Sequence, residues 1–93
     1  MTEEKIRKKL VFHGYVQGVG FRYVSARKAR ELGLTGWVRN EYDGSVMMEV
    51  QGPETKIDML LMYLMNDRYI DISHMEARTL EVYEKEGGFG ILR

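Results

Sequence analysis

Cysteine is absent from the 93-residue chain, which excludes disulfide bonds, a thiol nucleophile and thiolate ligands for a metal. The longest apolar run, Met59 to Met65, is far shorter than the roughly 20 residues that a membrane-spanning helix needs. The first residues, Met1-Thr2-Glu3-Glu4, are polar and acidic, whereas a secretory signal begins with basic and then apolar residues. These absences favour a cytoplasmic protein.

Histidine is scarce, and His13 and His74 are the only two in the chain. Neither is accompanied by the further ligands that a metal triad needs. We therefore interpret both as structural or surface residues, and we expect no metal and no cofactor.

The length predicts one domain, residues 1–93, and an apolar content of 44% with a charged content of 30% is typical of a globular protein. The net charge is zero, yet every acidic or basic residue from Lys5 to Arg30 is basic. Such a one-sided segment indicates a local anionic ligand. Lys5–Lys9 alone is better explained as a solvated basic face.

Apolar periodicity and turn residues predict five strands and two helices. This order is typical of the ferredoxin-like split βαβ fold, an α+β fold with two helices on one face of an antiparallel sheet. The first two strands then run parallel, and their carboxyl ends share one edge of the sheet. The predicted strands are Lys5–His13, Thr35–Asn40, Ser45–Gln51, about Ser73–Glu84 and Phe89–Leu92, and the predicted helices are Phe21–Leu32 and one with Pro53 at its first position.

A glycine-rich loop, Gly14–Gly20, joins the first strand to the first helix. Glycines let successive N–H groups point into one hollow that binds anions, and the helix N-terminus adds its own N–H groups. A Walker A loop is excluded because no lysine follows, and a dinucleotide fingerprint is excluded because Tyr23 replaces its third glycine. The candidate phosphate-binding residues are Tyr15, Val16, Gln17, Gly18, Val19, Gly20 and Phe21.

Two side chains near this loop are candidate catalytic residues. Arg22 lies in the first turn of the helix, where a cation opposes the helix dipole unless an anion is bound beside it. Asn40 ends the second strand at the edge that carries the loop, where its amide can hold a water molecule. Arg22 is alternatively a surface arginine, and Asn40 is alternatively a residue of the turn through Asp43-Gly44.

These segments closely resemble the acylphosphatase family. The family pattern Gly-x-Val-Gln-Gly-Val-x-Phe-Arg corresponds to Gly14–Arg22, and Gly-x-x-Gly-Trp-Val-x-Asn corresponds to Gly33–Asn40. The resemblance extends over nearly the whole chain. Two departures are Asn66–Tyr69, where a Gly-Pro pair is common, and Tyr15, where a basic residue is common.

The resemblance implies a ferredoxin-like fold and metal-independent hydrolysis of carboxyl-phosphate anhydrides by in-line attack of water. It also implies that Arg22 binds the phosphate and that Asn40 positions the water. We accordingly expect a small acyl phosphate as substrate, and inorganic phosphate or sulfate as a ligand of the same site. A monomer without nucleic-acid or membrane partners is expected.

Two other functions fit parts of the sequence. RNA-recognition motifs share this fold, and Gly87–Ile91 resembles part of their aromatic signature, although it lies at the C-terminus rather than on the third strand. Larger hydrogenase-maturation enzymes contain a domain with a similar loop. Hydrolysis of acetyl phosphate would separate an acylphosphatase from both.

Overall fold

A computed structural model describes residues 4–93, so the polar start Met1-Thr2-Glu3 lies outside the described residues. Seven elements follow one another, and their order agrees with the predicted β-α-β-β-α-β plan plus a terminal strand. They are β1 (Lys5–Tyr15), α1 (Phe21–Glu31), β2 (Thr35–Asn40), β3 (Val46–Pro53), α2 (Glu54–Met65), β4 (Asp71–Leu80) and β5 (Phe89–Ile91).

The strands form one sheet in the order β4-β1-β3-β2-β5. β3 is antiparallel to both β1 and β2, so β1 and β2 run parallel and end at the same edge. This confirms the predicted α+β ferredoxin-like fold. The sheet is mixed rather than fully antiparallel, because β5 pairs in parallel with β2, with Gly36 opposite Phe89. The chain after β4 crosses back to the end of the sheet where β2 begins, and β5 therefore starts there.

Several boundaries differ from the predicted ones because strand pairing sets them. β1 continues through Gly14 to Tyr15, which pairs with Asp71 at the start of β4. β4 ends at Leu80, opposite Arg7. β3 extends to Pro53, which is the N-cap of α2 rather than its first helical residue.

The core lies between the sheet and the two helices. Alternate residues of β1 and β3 face it, as the period of two in these strands predicts. The ring centroids of Phe12 and Phe21 are 4.9 Å apart, which ties the start of α1 to β1. The fully buried side chains include Leu10, Phe12, Val46, Met48, Val50, Ile57, Leu60 and Leu64.

Arg7 contradicts the interpretation of Lys5–Lys9 as a solvated face, because only 5% of this residue is exposed. Its Nε donates to Glu49 Oε1 at 2.8 Å, and its two terminal nitrogens donate to Glu86 at 2.8 and 3.1 Å. Burial by itself raises the pKa of Glu86, but hydrogen bonds from Arg7 and Thr35 and the charge of Arg7 bring it below its ordinary value. This ion pair ties the chain between β4 and β5 to the sheet.

Within the described residues, neither α1 nor α2 is long and apolar enough to cross a membrane.

Candidate active site

The loop between β1 and α1 presents the N-terminus of the helix to solvent. Gly18 and Gly20 have φ of 75° and 81°, a left-handed conformation that glycine adopts without strain. Gly20 is the N-cap of α1, and its carbonyl accepts the first helical hydrogen bond from Val24 N at 3.0 Å. No side chain of the described residues caps this helix, and its first turn has no acidic residue. Its first N–H groups are therefore available to an anion.

A cavity of about 140 Å³ lies at this helix end, at the edge where β2 terminates. Its volume is suited to a small group such as a phosphate rather than to a large ligand. No carboxylate or histidine of the described residues lines it. Its lining residues are Val16, Gly18, Gly20, Phe21, Arg22, Tyr23 and Asn40.

Arg22 and Asn40 are the two strongly polar side chains of this cavity, and both are half-buried. Within residues 4–93, neither the guanidinium of Arg22 nor the amide of Asn40 has a hydrogen-bond or ion-pair partner. Within the described residues, no buried side-chain nitrogen or oxygen lacks a hydrogen-bond partner, so the unpaired polar atoms of Arg22 and Asn40 are open to solvent. They are therefore accessible to a ligand and a water molecule in this cavity.

Gln17 holds the loop against the segment that follows Asn40. Its Nε2 donates to the carbonyl of Glu41 at 2.7 Å and to the carbonyl of Ser45 at 2.9 Å. The carboxylate of Glu41 accepts a hydrogen bond from Arg39 Nε at 2.9 Å. It therefore points away from Asn40, as strand alternation predicts. The amide of Gln17 thus fixes the distance between the loop and the end of β2.

The residues predicted for the site differ in where they lie in the structure. Val16 and Phe21 line the cavity from the core, since only 1% and 2% of these residues are exposed. Val19 packs against the core. Tyr15 belongs to β1 and is 67% exposed. Tyr23, which sequence reasoning used only to exclude a dinucleotide loop, lines the cavity.

Other possible ligands lie near both histidines, contrary to the expectation from the sequence. His13 and His74 lie opposite each other on β1 and β4, and one ligand atom from each of them and one from Glu76 all lie within 4.8 Å of one another. No local pattern in the sequence predicts this triad, because only the register between the two strands brings its members together. None of the three lines the cavity beside Arg22.

Comparison with known proteins agrees with this architecture. The family profile described as Acylphosphatase matches residues 8–91. An acylphosphatase from Bifidobacterium longum is 40% identical over 88 residues, which cover 92% of this chain and 91% of that protein. The crystal structure of acylphosphatase from Bacillus subtilis superposes with a TM-score of 0.87 at 28% identity, covering 95% of this chain and 99% of that one.

The fold also occurs within a much larger protein. Full-length HypF, solved in a phosphate- and nucleotide-bound form, superposes on this chain with a TM-score of 0.85 at 24% identity. The match covers 100% of this chain but only 12% of HypF, and at this identity it shows the fold alone. The profile match over residues 8–91 and the relative that is 40% identical over 88 residues show that the chain belongs to the acylphosphatase family.

Proposed function

We propose that this acylphosphatase hydrolyses its substrate through two side chains, with Arg22 binding the phosphate group and Asn40 orienting the attacking water. The observation that carries the proposal is their shared cavity. Both side chains lack partners among the described residues, and both face the uncapped N-terminus of α1.

Phosphate binding follows from the donors that surround the cavity. The N–H groups at the start of α1 and in the Gly18–Gly20 turn supply fixed donors and the positive end of the helix dipole. Arg22 adds a planar pair of N–H donors that can bind two phosphate oxygens at once. A bound dianion also removes the unfavourable placement of a cation at the helix N-terminus.

The reaction needs few further groups. Water forms a bond to phosphorus while the bond from phosphorus to the acyl oxygen breaks, and the products are a carboxylate and inorganic phosphate. A carboxylate with a pKa near 4 leaves without being protonated, so no general acid is required. Phosphoryl transfer then depends mainly on positioning and charge stabilisation.

Asn40 is suited to positioning the water because its amide both donates and accepts. The cavity offers no carboxylate or histidine as a general base. We therefore assign the proton of the attacking water to an oxygen of the bound phosphate group. The substrate is a small acyl phosphate, and inorganic phosphate or sulfate occupies the same donors.

The two alternative functions are less well supported. An RNA-binding surface of this fold needs exposed aromatic side chains, but Phe89 of the Gly87–Ile91 segment is only 4% exposed. On β3 the half-buried residues are Met47, Glu49 and Pro53, none of which can stack on a base in the aromatic manner. The likeness to HypF extends over too little of that protein to carry its activity to this chain.

Release of inorganic phosphate from acetyl phosphate by the purified chain tests the proposal. Wild-type protein should release phosphate, and a phosphate monoester with a poorer leaving group should be a much poorer substrate. Arg22→Ala should lose this activity, whereas Arg27→Ala, which removes an exposed arginine of the same helix, should keep it. Equal activity in the two variants would show that Arg22 does not bind the phosphate.

Three further properties belong to this proposal, namely a single domain, a monomeric state and a cytoplasmic location. Light scattering of the purified chain tests the monomeric state, because a monomer of 10.9 kDa is readily distinguished from a dimer. A single cooperative unfolding transition tests the single domain. Cell fractionation tests the third.

A further inference from the structure

The face of the sheet opposite the helices carries a group of side chains that the proposed hydrolysis does not use. His13 on β1 is directly opposite His74 on β4, and Glu76 follows on the same face of β4. Directly opposed residues of an antiparallel pair have Cβ atoms about 4.5–5.5 Å apart. The two imidazole rings are accordingly close, with centroids 5.2 Å apart.

The ligand atoms of these three side chains converge. The nearest atoms that His13, His74 and Glu76 offer to a metal all lie within 4.8 Å of one another. His13 Nε2 and Glu76 Oε2 are only 2.7 Å apart. Ligand bonds of about 2.0–2.2 Å in a tetrahedral site place neighbouring ligand atoms about 3.3–3.6 Å apart. The separations in the structure, from 2.7 Å to at most 4.8 Å, bracket this range, and all three side chains are at least partly exposed.

We propose that His13, His74 and Glu76 bind a divalent transition-metal ion of the Zn²⁺, Co²⁺ or Ni²⁺ class. Two imidazole nitrogens and one carboxylate oxygen suit these ions. Mg²⁺ and Ca²⁺ instead prefer all-oxygen sites, so they should bind weakly here. Three protein ligands leave the remaining coordination positions to water, in keeping with the exposure of Glu76 on the surface.

The charged residues around this group are of both signs, so they neither strongly favour nor strongly disfavour a bound cation. Hydrogen bonds from the side chain and backbone of Ser45 lower the pKa of the Asp43 carboxyl, and the nearby His13 contributes to the same shift. Asp43 is thus an additional negative charge close to His13. Lys9 and Arg78 lie beside Glu76 around a shallow depression of the same face, and their positive charges oppose its negative charge. The chemistry of the three ligands, rather than a strongly negative electrostatic potential, therefore determines which ion binds.

Metal binding here joins β1 to β4 immediately before the phosphate-binding loop. The register of the two strands shifts between His13 and Gly14, so the ion would bridge them beside this irregularity. An ion that binds the folded chain and not the unfolded chain raises the free energy of unfolding. The melting temperature should therefore rise with metal concentration.

The experiment uses the full chain, stripped of metal with a chelator and kept in a phosphate-free buffer. Titration with CoCl₂ should give a saturable visible absorption band, and ZnCl₂ should abolish it by displacement. His74→Gln and Glu76→Gln should each weaken Co²⁺ binding by at least about tenfold, since even the loss of a residue that only supports a metal ligand costs 10–100-fold. Glu81→Gln, which changes an exposed carboxylate after β4, is the matched control and should bind as wild type.

The Co²⁺ absorption band is easy to assign, because the chain has no cysteine and no histidine besides His13 and His74. His74 and Glu76 are exposed, so both variants should fold, and circular dichroism without metal checks this. No saturable Co²⁺ binding below millimolar concentration would overturn the proposal. Wild-type affinity in either His74→Gln or Glu76→Gln would also overturn the three-ligand site. Neither outcome would affect the assignment of Arg22 and Asn40.

Discussion

The side-chain amide of Gln17 donates a hydrogen bond to the carbonyl of Glu41 at 2.7 Å, which links the loop between β1 and α1 to the residue that follows Asn40. The same amide donates to the carbonyl of Ser45 at 2.9 Å. Glu41 N in turn donates to the Ser45 carbonyl at 2.9 Å, so the two sides of the β2–β3 turn are held together where Gln17 reaches them. Gln17 acts only as a donor in these contacts.

Removal of these donors should loosen the alignment of Asn40 with the loop. In Gln17→Met the side chain keeps its length but loses both hydrogen bonds, and we expect kcat to fall by about tenfold to a hundredfold, as a misplacement of about 1 Å can do. The inhibition constant for phosphate should change less, because Arg22 and the helix N–H groups are retained. Gln17→Lys restores N–H donors at similar reach and should recover part of kcat.

These kinetic measurements need circular dichroism as a folding control. Wild-type kcat in Gln17→Met would mean that the two contacts do not position Asn40.

The sequence predicts the structure where the determining interactions are local or periodic. The alternation of Leu10 and Phe12 predicts which face of β1 is buried, and the spacing of Gly18, Gly20 and Arg22 predicts a donor-lined helix N-terminus. The sequence does not predict where distant segments meet. The parallel pairing of β5 with β2 depends on where the chain after β4 crosses the sheet, and no local pattern encodes that path.

Among the charged residues, the predicted exposure of Arg7 was wrong. A basic residue in a run of basic residues is normally exposed, yet its partners Glu49 and Glu86 are 42 and 79 positions away along the chain. The triad of His13, His74 and Glu76 was missed for the same reason. The register between β1 and β3 brings Arg7 near Glu49, and the register between β1 and β4 places His13 opposite His74. Glu86 instead reaches Arg7 from the segment between β4 and β5.

The ion pairs of Arg7 should contribute strongly to stability. Arg7→Met leaves the carboxylates of Glu49 and Glu86 without their cation, in surroundings where their side chains are only 23% and 14% exposed. Loss of one partner of a buried pair costs about 3–5 kcal/mol, and residual solvation of Glu49 lowers our expectation to about 2–4 kcal/mol. Urea denaturation measures the change. Lys5→Met, which removes an exposed pair with Glu84, should cost less than about 1 kcal/mol.

Glu86 should make stability depend on pH in the acid range. Its folded-state pKa lies below the ordinary value of 4.5, so its contribution is complete above that value and is lost as pH falls through the folded pKa. Glu86→Gln removes this contribution. We therefore expect the variant to be less stable than wild type at pH 7, and the difference in melting temperature to shrink steadily below about pH 4.5. A difference that stays constant down to strongly acid pH would contradict the role of Glu86 as an ionised partner of Arg7.

Hydrolysis should not need a metal ion, because no residue lining the cavity is a carboxylate or a histidine. Phosphate release from acetyl phosphate should be unchanged by a strong chelator and should not increase with added Mg²⁺. Glu76→Gln should behave as wild type in this assay, since Glu76 lies outside the cavity. Loss of activity in chelator that Mg²⁺ restores would show that a metal takes part in the reaction.

Arg22 should stabilise the phosphate group both before and during the reaction. Arg22→Ala leaves the dianion facing only backbone donors, so we expect kcat/KM to fall by a factor on the order of 10² to 10³, and phosphate inhibition to weaken with it. Arg22→Lys keeps the charge but not the paired donors, and should recover little.

Asn40→Ala should separate turnover from phosphate binding, because the proposed partner of its amide is the attacking water and not the phosphate. The helix N–H groups and Arg22 remain in place, so the inhibition constant for phosphate should stay near the wild-type value. With the water no longer oriented, kcat should drop by a factor on the order of 10². Asn40 is only half-buried and its side-chain amide has no hydrogen-bond partner among the described residues, so the fold should persist, which circular dichroism can verify. Measurement of kcat and of the phosphate inhibition constant in the same preparation decides the matter. If Asn40→Ala lost phosphate binding as severely as Arg22→Ala, the amide would be a phosphate ligand, and the attacking water would need another residue to hold it.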